Sequence, residues 1–343
     1  MPFTTFVIAV LVINHATAAA TQACATAALV EHDVAMRVYL LDNGSPGDDA
    51  KRLADFAALH PDRIRFSASL KNLGFAGGMN LLIGQALADE RVDQILLLNS
   101  DTEPQPGFIA AMQAKLDPQS RTDMVAARML DTHSGEVDSL GIALYRSTLA
   151  SNRKREEEIL LGPSGGCALL TRRLLEDLHA SHGEWFDEEF FCYAEDTDLA
   201  LRARWLGYRP AHAHDAVVRH ARSLSSGGPE NEFVLYHGIR NSLWWLIKDA
   251  PAGWQLRSLP RFIALHGGIV LRHLRRGRAR ALWRLYRDAI RGIPAMRRKR
   301  AIIARTRRVA AAEFASWVEP HFYERGYVRR AWRELWRRKS EKT

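Results

Sequence analysis

The chain has 343 residues, of which 47% are hydrophobic and 25% charged, which excludes a disordered or fibrous chain and leaves room for one large domain with an appendage or for two domains. Its 3 cysteines, Cys24, Cys167 and Cys192, are odd in number and lack metal-ligand spacing, which excludes a disulfide scaffold and suits a reduced compartment. The net charge of +9 is unevenly divided: from Pro251 onward there are 25 Lys/Arg against 6 Asp/Glu, whereas the preceding residues hold 23 basic and 33 acidic groups. An acidic body joined to a basic tail implies a polyanionic partner for the tail, whether a membrane surface, a nucleic acid or an acidic protein.

In chain order, the apolar β-branched run "FVIAVLVI" ending at Ile13 reads as a first strand. No Lys or Arg precedes it, so a buried strand is preferred to a signal peptide. A helix is expected over 17–30, a strand at "VYLLDNGS", a helix over 48–59 and a strand at "IRFSAS". "GFAGGMNLLIGQAL" opens a helix through a glycine turn, "QILLLNSDTEP" is a buried strand with a polar end, "FIAAMQAKL" a helix and "MVAARML" another strand. This alternation predicts an α/β fold with a mostly parallel sheet covered by helices, and polar clusters fall at the strands' carboxyl ends, where such sheets bind ligands. Residues 131–160 are irregular, "LLGPSGGCALLTRRLLEDL" turns through glycines into an amphipathic helix, and a further helix covers about 232–247. A domain boundary is placed after residue 250, so that 1–250 form a catalytic body and 251–343 a basic helical extension. No segment reaches the roughly 18 consecutive apolar residues of a membrane span.

Each polar cluster has a plain structural reading beside a chemical one. Asn99 and Asp101 in "LLLNSDTEP" suit a divalent cation carrying a diphosphate, or a turn that caps the next helix. Asp42 in "LLDNGSPGDD" suits a base N–H or ribose hydroxyl, or turn chemistry. "KNLGFAGGMN" is neither a dinucleotide loop nor a P-loop, because G-K-[ST] is absent. Gly165 and Gly166 line a pocket or simply turn, and a lone His220 is a ligand or a satisfied structural residue. "FFCYAEDTDLALRARWLGYR" crowds Glu195, Asp196 and Asp198 at one helix start, which suits both the helix dipole and general-base chemistry.

Taken in order, "DNGS", "NLGFAGGMN", "LNSD", the glycine pair, "FDEEFFCYAEDTDLALRARWLGY" and a late His resemble the inverting family 2 glycosyltransferases of the GT-A (Rossmann-like) fold, over roughly 6–250. The nearest resemblance is to their rhamnosyltransferase-like and galactofuranosyltransferase-like branch. It implies transfer of a sugar, rhamnose favoured, from a nucleotide donor such as dTDP-rhamnose or a UDP-sugar to a lipid-linked or cell-surface glycan acceptor. It implies that Asn14, Asp42, Asn43, Asn72, Gly77 and Asn80 shape the nucleotide pocket, with Asp42 on the base. Asp101 would match the metal-binding aspartate, with Asn99 in the first position of the D-x-D-like element, and His220 the late metal- or diphosphate-contacting histidine, both toward Mg²⁺ or Mn²⁺. Asp196 would be the general base, with Glu195 as the alternative, and Gly165, Gly166, Trp185, Asp187 and Glu188 would border the acceptor. The first strand departs from the family pattern in ending Asn14-His15-Ala16. A non-catalytic nucleotide-sugar-binding scaffold is the alternative reading.

In the tail, Leu282, Leu285, Tyr286, Ile290 and Ile293 fall near one helical face, arginines recur around "RFIALHGGIVLRHLRRGRARALW", and Trp and Arg recur in "RRAWRELWRRK". Such helices suit an anionic membrane surface, or an apolar face packed on the body or on a partner. No nucleic-acid-binding motif is present, so no nucleic acid is expected. The expected location is cytoplasmic, peripheral on the inner face of the cell membrane.

Overall fold

A computed structural model describes residues 7–31, 34–221, 231–327 and 329. The elements run β1 (Val7–Asn14), α1 (Ala18–Leu29), β2 (Met36–Asn43), α2 (Asp49–Ala58), β3 (Ile64–Ser69), α3 (Gly74–Leu87), β4 (Val92–Asn99), β5 (Thr102–Pro104), α4 (Phe108–Gln113), β6 (Thr122–Asp131) and β7 (Val137–Ser139). They continue with β8 (Ile142–Tyr145), β9 (Ala150–Asn152), β10 (Cys167–Thr171), α5 (Arg172–His182), α6 (Glu195–Trp205), β11 (Arg209–His220), α7 (Glu232–Asp249), α8 (Ala252–Arg275), α9 (Ala279–Thr306) and β12 (Val318–Glu319).

The main sheet has the order β3-β2-β1-β4-β10-β6-β11-β5, with β7 paired to β6. Strand β1 shows why it forms. Alternate residues Ile8, Val10 and Val12 pack with Ala25 and Ala28 of α1, while Ala9 and Leu11 pack with Met79 and Leu82 of α3. Both faces are covered, so the strand reads as one continuous apolar run. β3, β2, β1 and β4 are parallel, and so is the β6–β11 pair. β10 runs antiparallel between β4 and β6, and β5 antiparallel to β11. The sheet is mixed, with its longer pairings parallel, as expected, and its shorter ones antiparallel. The reversal comes from β10, whose short run Cys167-Ala168-Leu169-Leu170 had been absorbed into the glycine turn and helix; four apolar residues carry no period that separates strand from helix. "QILLLNSDTEP" likewise divides into β4 and β5.

The segment after Pro251 is not a detached appendage. α9 packs on α7, where the Trp244 indole donates to the Ala289 carbonyl at 3.0 Å. A Cβ at Gly292 would meet the same indole ring at 2.6 Å, so glycine is what lets the two helices approach. Past α9, Phe314 and Trp317 stack around Trp205, and β12 pairs with β8 beside β9 in a small second sheet. Of the apolar face expected on α9, Leu282 and Leu285 are buried in this packing, while Ile290 is left exposed. The run "RRAWRELWRRK" lies, apart from Arg329, outside the described residues.

A buried charge cluster joins these parts. Asp198 pairs with Arg202 at 2.7 Å and with Lys248 at 2.6 Å, and all three side chains are fully or almost fully buried. Lys248 also reaches Asp187 at 2.7 Å and Glu184 at 3.1 Å, and Lys299 of α9 binds Asp187 and Glu184. Burial pushes the Asp198 carboxyl up, but Arg202 and Lys248 outweigh it and hold the group below the ordinary carboxylate range. A buried charge stripped of its partner is costly, so Lys248→Met should lower the unfolding free energy by about 3–5 kcal/mol in a urea titration at neutral pH. Asp198 is depressed in the folded state, so its contribution is present above the unfolded value of about 4 and is lost as pH falls through the lower folded value. The gap between wild type and Lys248→Met should accordingly shrink in acid; a constant gap would place the stabilisation elsewhere.

Candidate active site

The carboxyl ends of the central strands meet at one edge. Asn14 stands beside Asp42, and Ile13 beside Asn99, in the parallel register. There the chain leaves the sheet in polar turns and walls a cavity of about 680 Å³, within the range of small-molecule sites. One side is formed by His15, Asn43 and Asn72, the floor by Asn99, Ser100 and Asp101, and the far side by Gly165, Gly166, Glu195 and Asp196. Phe191 and Tyr193, and Phe233 and Trp245 of α7, also line it.

The expected residues separate into those that face this cavity and those that brace it. Asn43 and Asn72 face it and also hold the entry to α3: Asn43 Nδ2 donates to the Gly74 carbonyl at 3.0 Å, and the Gly74 N–H donates to Asn72 Oδ1 at 2.8 Å. Asn14 and Asp42 do not line it. Asn14 Nδ2 donates to Asp42 Oδ1 at 2.8 Å, and Ser45 donates to the same carboxylate from backbone and hydroxyl. At 2% exposure Asp42 is shut inside this network, and His15 presents its ring to the cavity instead. Gly77 is packed near Leu73 and Glu188. Asn80 binds the Phe186 backbone at both ends of its amide, 2.9 Å each way, and Glu188 at 3.0 Å. Trp185, Asp187 and Glu188 therefore do not border the main cavity. With Asn80 and Lys299 they line a second one of about 390 Å³. Asp187 is consumed by Lys248 and Lys299, a pairing invisible until α7 and α9 fold back over it.

On the cavity floor His220 Nε2 lies 3.1 Å from Asp101 Oδ1, and its Nδ1 lies 2.6 Å from Asp138 Oδ2. Burial alone would lower the imidazole pKa, but hydrogen bonds to the two carboxylates outweigh it and raise it to about 9. Among the described residues no group of three or more His, Cys, Asp and Glu is arranged to hold a metal. The donor set nonetheless fits a divalent cation bound partly by substrate. A carboxylate facing an imidazole nitrogen, whose other nitrogen is oriented by a second carboxylate, is the usual arrangement of a His metal ligand with its outer partner. Sequence reading missed Asp138, which lies in the irregular 131–160 stretch without a motif to mark it.

The carboxylates opposite are set by an unusual backbone. Phe191, Tyr193 and Ala194 have φ of 66°, 67° and 66°, a left-handed conformation that L-residues seldom adopt. Such positions cost of order 1–3 kcal/mol each and persist only where the surroundings over-determine them. Here the buried Asn241 of α7 supplies the restraint. Its Nδ2 donates to the carbonyls of Phe190, Cys192 and Tyr193 at 2.9, 2.8 and 2.6 Å, and its Oδ1 accepts from Arg240. Arg240 also donates to the Phe190 carbonyl at 2.9 Å, and the Ala76 N–H to the Phe191 carbonyl at 3.1 Å. Gly74 has φ +72°, and a Cβ there would collide with the Phe191 carbonyl and ring. The first glycine of "GFAGG" thus makes room for the turn that precedes α6. Asn241 went unnoticed in sequence, although a polar "RN" pair inside an otherwise apolar helix was the available signal.

The turn delivers three carboxylates to three environments. Asp198 is ion-paired and structural, as its spacing to Arg202 implied. Glu195 is buried, and its Oε2 has no hydrogen-bond partner among the described residues; burial and the neighbouring Asp196 raise its pKa well above the ordinary value. Asp196 is also raised by burial, but it accepts from the Gly165 N–H at 3.0 Å and the Thr197 N–H at 2.7 Å, which favour its charged form. Asn241→Ala should release the turn and cut turnover by about 100-fold, with donor affinity retained in calorimetry. Unchanged turnover would show that the turn holds itself.

Residues 9–179 match the family described as Glycosyl transferase family 2. No curated protein matches the chain. Among solved structures it resembles the mannosyltransferase PcManGT from Pyrobaculum calidifontis in complex with GDP-Man and Mn²⁺, with a TM-score of 0.51 at 17% identity over 92% of this chain and 89% of that one. It also resembles GalNAc-T7 with UDP, GalNAc and Mn²⁺, with a TM-score of 0.58 at 14% identity over 77% of this chain and 52% of that one. A third is S. aureus TarS 1-349 in complex with UDP-GlcNAc, with a TM-score of 0.55 at 13% identity over 90% of this chain and 91% of that one. At such identities the likeness is one of fold, and it agrees with the sheet order and the strand-end cavity described above. Residues 9–179, just under half of the chain, are thus similar to family 2 glycosyltransferases, and the chain has the α/β fold of the GT-A glycosyltransferases named above.

Proposed function

We propose that the protein is an inverting glycosyltransferase that moves a sugar, rhamnose favoured, from a nucleoside-diphosphate donor to a hydroxyl of a lipid-linked or cell-surface glycan. The observation that carries this reading is the presence in one cavity of the Asp101–His220 pair and the Asp196 carboxylate. The donor would be dTDP-rhamnose or a UDP-sugar, with its nucleoside against His15, Asn43 and Asn72.

Asp101 and His220 would hold a divalent cation, Mg²⁺ or Mn²⁺, with Asn99 beside them. Such an ion, when bound, offsets negative charge on a leaving diphosphate. The remaining chemistry belongs to the chain. Asp196, raised by burial but accepting from the Gly165 and Thr197 amides, which favour its charged form, takes the proton of the acceptor hydroxyl. The acceptor oxygen forms its bond to the anomeric carbon as the bond to the diphosphate oxygen breaks on the opposite face. The electron pair of that bond leaves with the nucleoside diphosphate. Glu195 is less suited to act as base, since burial and the neighbouring Asp196 push its carboxyl well up; its Oε2, unpartnered among the described residues, would bind an acceptor hydroxyl. This preference of Asp196 over Glu195 follows from their surroundings rather than from their order in the chain.

Asp196→Asn should leave folding and donor binding intact while transfer falls by about 10²–10⁴-fold. Retained transfer would remove Asp196 from the role of base. The acid limb of the wild-type rate profile should lie above the roughly 3.9 of a free Asp, because protonation of a raised carboxyl silences the base. Calorimetric titration with dTDP-rhamnose, UDP-sugars and GDP-mannose, with and without Mn²⁺, would identify the donor. Asp101→Ala should abolish any metal-dependent gain in affinity; an unchanged gain would refute the ligand assignment. Donor binding without turnover on any acceptor would favour the scaffold reading.

A further inference from the structure

α8 is apolar on two faces, and only one of them is used. Phe262, Leu265 and Ile269 turn inward, Leu265 and Ile269 packing with Leu235 of α7 and Leu282 and Leu285 of α9. On the other side Leu256, Leu259, Ile263, Leu271 and Leu274 are 73%, 47%, 62%, 46% and 49% exposed. Leu256, Ile263 and Leu274 recur at intervals of about two and three turns, so they form one stripe along the helix. A stripe of this length on an outer surface marks a contact site rather than chance exposure.

The flanks of the stripe say what covers it. Arg257, Arg261 and Arg275 are exposed along its border, and α8 contains no Asp or Glu. The next acidic residue, Asp288, is already engaged by Arg287 and Tyr236. A second copy docked by twofold symmetry would set these arginines against their own counterparts, which like charges oppose. A neutral protein groove would leave them without partners. An anionic phospholipid surface satisfies both features at once, taking leucines into the acyl boundary and arginines at the headgroups. No helix among the described residues is long and apolar enough to cross a membrane, so the contact is in the plane of the surface.

We infer that the exposed stripe of α8 is a docking surface for an anionic phospholipid bilayer. This assignment goes beyond the transfer reaction and stands independently of it. One consequence does rest on the glycosyl-transfer reading. Phe233 and Val234 line the cavity, whereas the adjoining Leu235 packs beneath α8, and Leu149 belongs to both the cavity wall and that packing. α8 would therefore stand between a bilayer on its stripe and the wall of the cavity, one helix thickness from an acceptor carried in that bilayer.

The test is flotation of the full chain with vesicles of phosphatidylcholine alone or of equal parts phosphatidylcholine and phosphatidylglycerol, without donor. The wild type should float with the mixed vesicles only, and less as salt is raised. Ile263→Glu with Leu274→Glu should reduce partitioning by about ten-fold or more without changing the melting temperature, since both positions are exposed. Arg257→Gln, Arg261→Gln and Arg275→Gln together should remove the preference for the anionic vesicles. Calorimetric donor binding in the same variants should equal that of the wild type, so a failed donor assignment and a failed docking assignment give different results. The inference is overturned if the wild type floats with neither vesicle or if the Glu variant floats as the wild type does. It is equally overturned if the wild type is a dimer that the Glu variant splits.

Discussion

The buried contact between Asp198, Arg202 and Lys248 is the constraint on which the rest of the site depends. Charges leave water only when paired, and a pair is worth its desolvation only when its geometry is close. Here that requirement draws together elements distant in sequence: α6 supplies Asp198 and Arg202, α7 supplies Lys248, the loop after α5 supplies Asp187, and α9 supplies Lys299. None can shift without uncovering a charge. Since Asp198 lies two residues beyond Asp196 on the same helix, the ion-paired carboxylate fixes the start of α6 on which Asp196 stands.

The second restraint acts on the backbone just before α6. Three left-handed residues close to one another would open in an unsupported loop, because the strain of each outweighs a typical net hydrogen bond of about 1 kcal/mol. Asn241 and Arg240 reach their carbonyls from a helix that begins beyond the segment matched to the family. The chain from residue 231 onward is thus part of the site, which explains why α7 and α9 are packed into the body by indoles and buried cations rather than tethered beside it.

A further consequence is a division of labour among carboxylates that look alike in sequence. Asp198 is paired with cations and stays charged. Glu195 is buried with its Oε2 unpartnered among the described residues, and its carboxyl is pushed well up. Asp196 accepts backbone N–H groups and lies between these extremes. The same holds on the floor of the cavity, where Asp101 faces the ligand space while Asp138 orients the histidine from behind.

Much of the framework was legible in the sequence because it depends on local periodicity. The runs that became β1, β3 and α3, the polar ends of the strands, and the acidic start of α6 all follow from the residues themselves. So did the division of charge at Pro251. The grouping of Asn43, Asn72, Asn99, Asp101, Gly165, Gly166, Glu195, Asp196 and His220, which line one cavity, came from the resemblance to a known family and not from any one stretch alone. What the tertiary structure alone decided was direction and partnership. A four-residue apolar run carries no sign of its orientation, so β10 was reversed only by its neighbours. Asp42, Asn80 and Asp187 had the right chemistry for ligands, yet they are spent on Ser45, the Phe186 backbone and two lysines. Asn241 and Asp138 had no motif and reach the site only through proximity. Residue type and spacing determine what a side chain is able to do; which of its possible partners lies within 3 Å is settled only by packing of segments far apart in the chain.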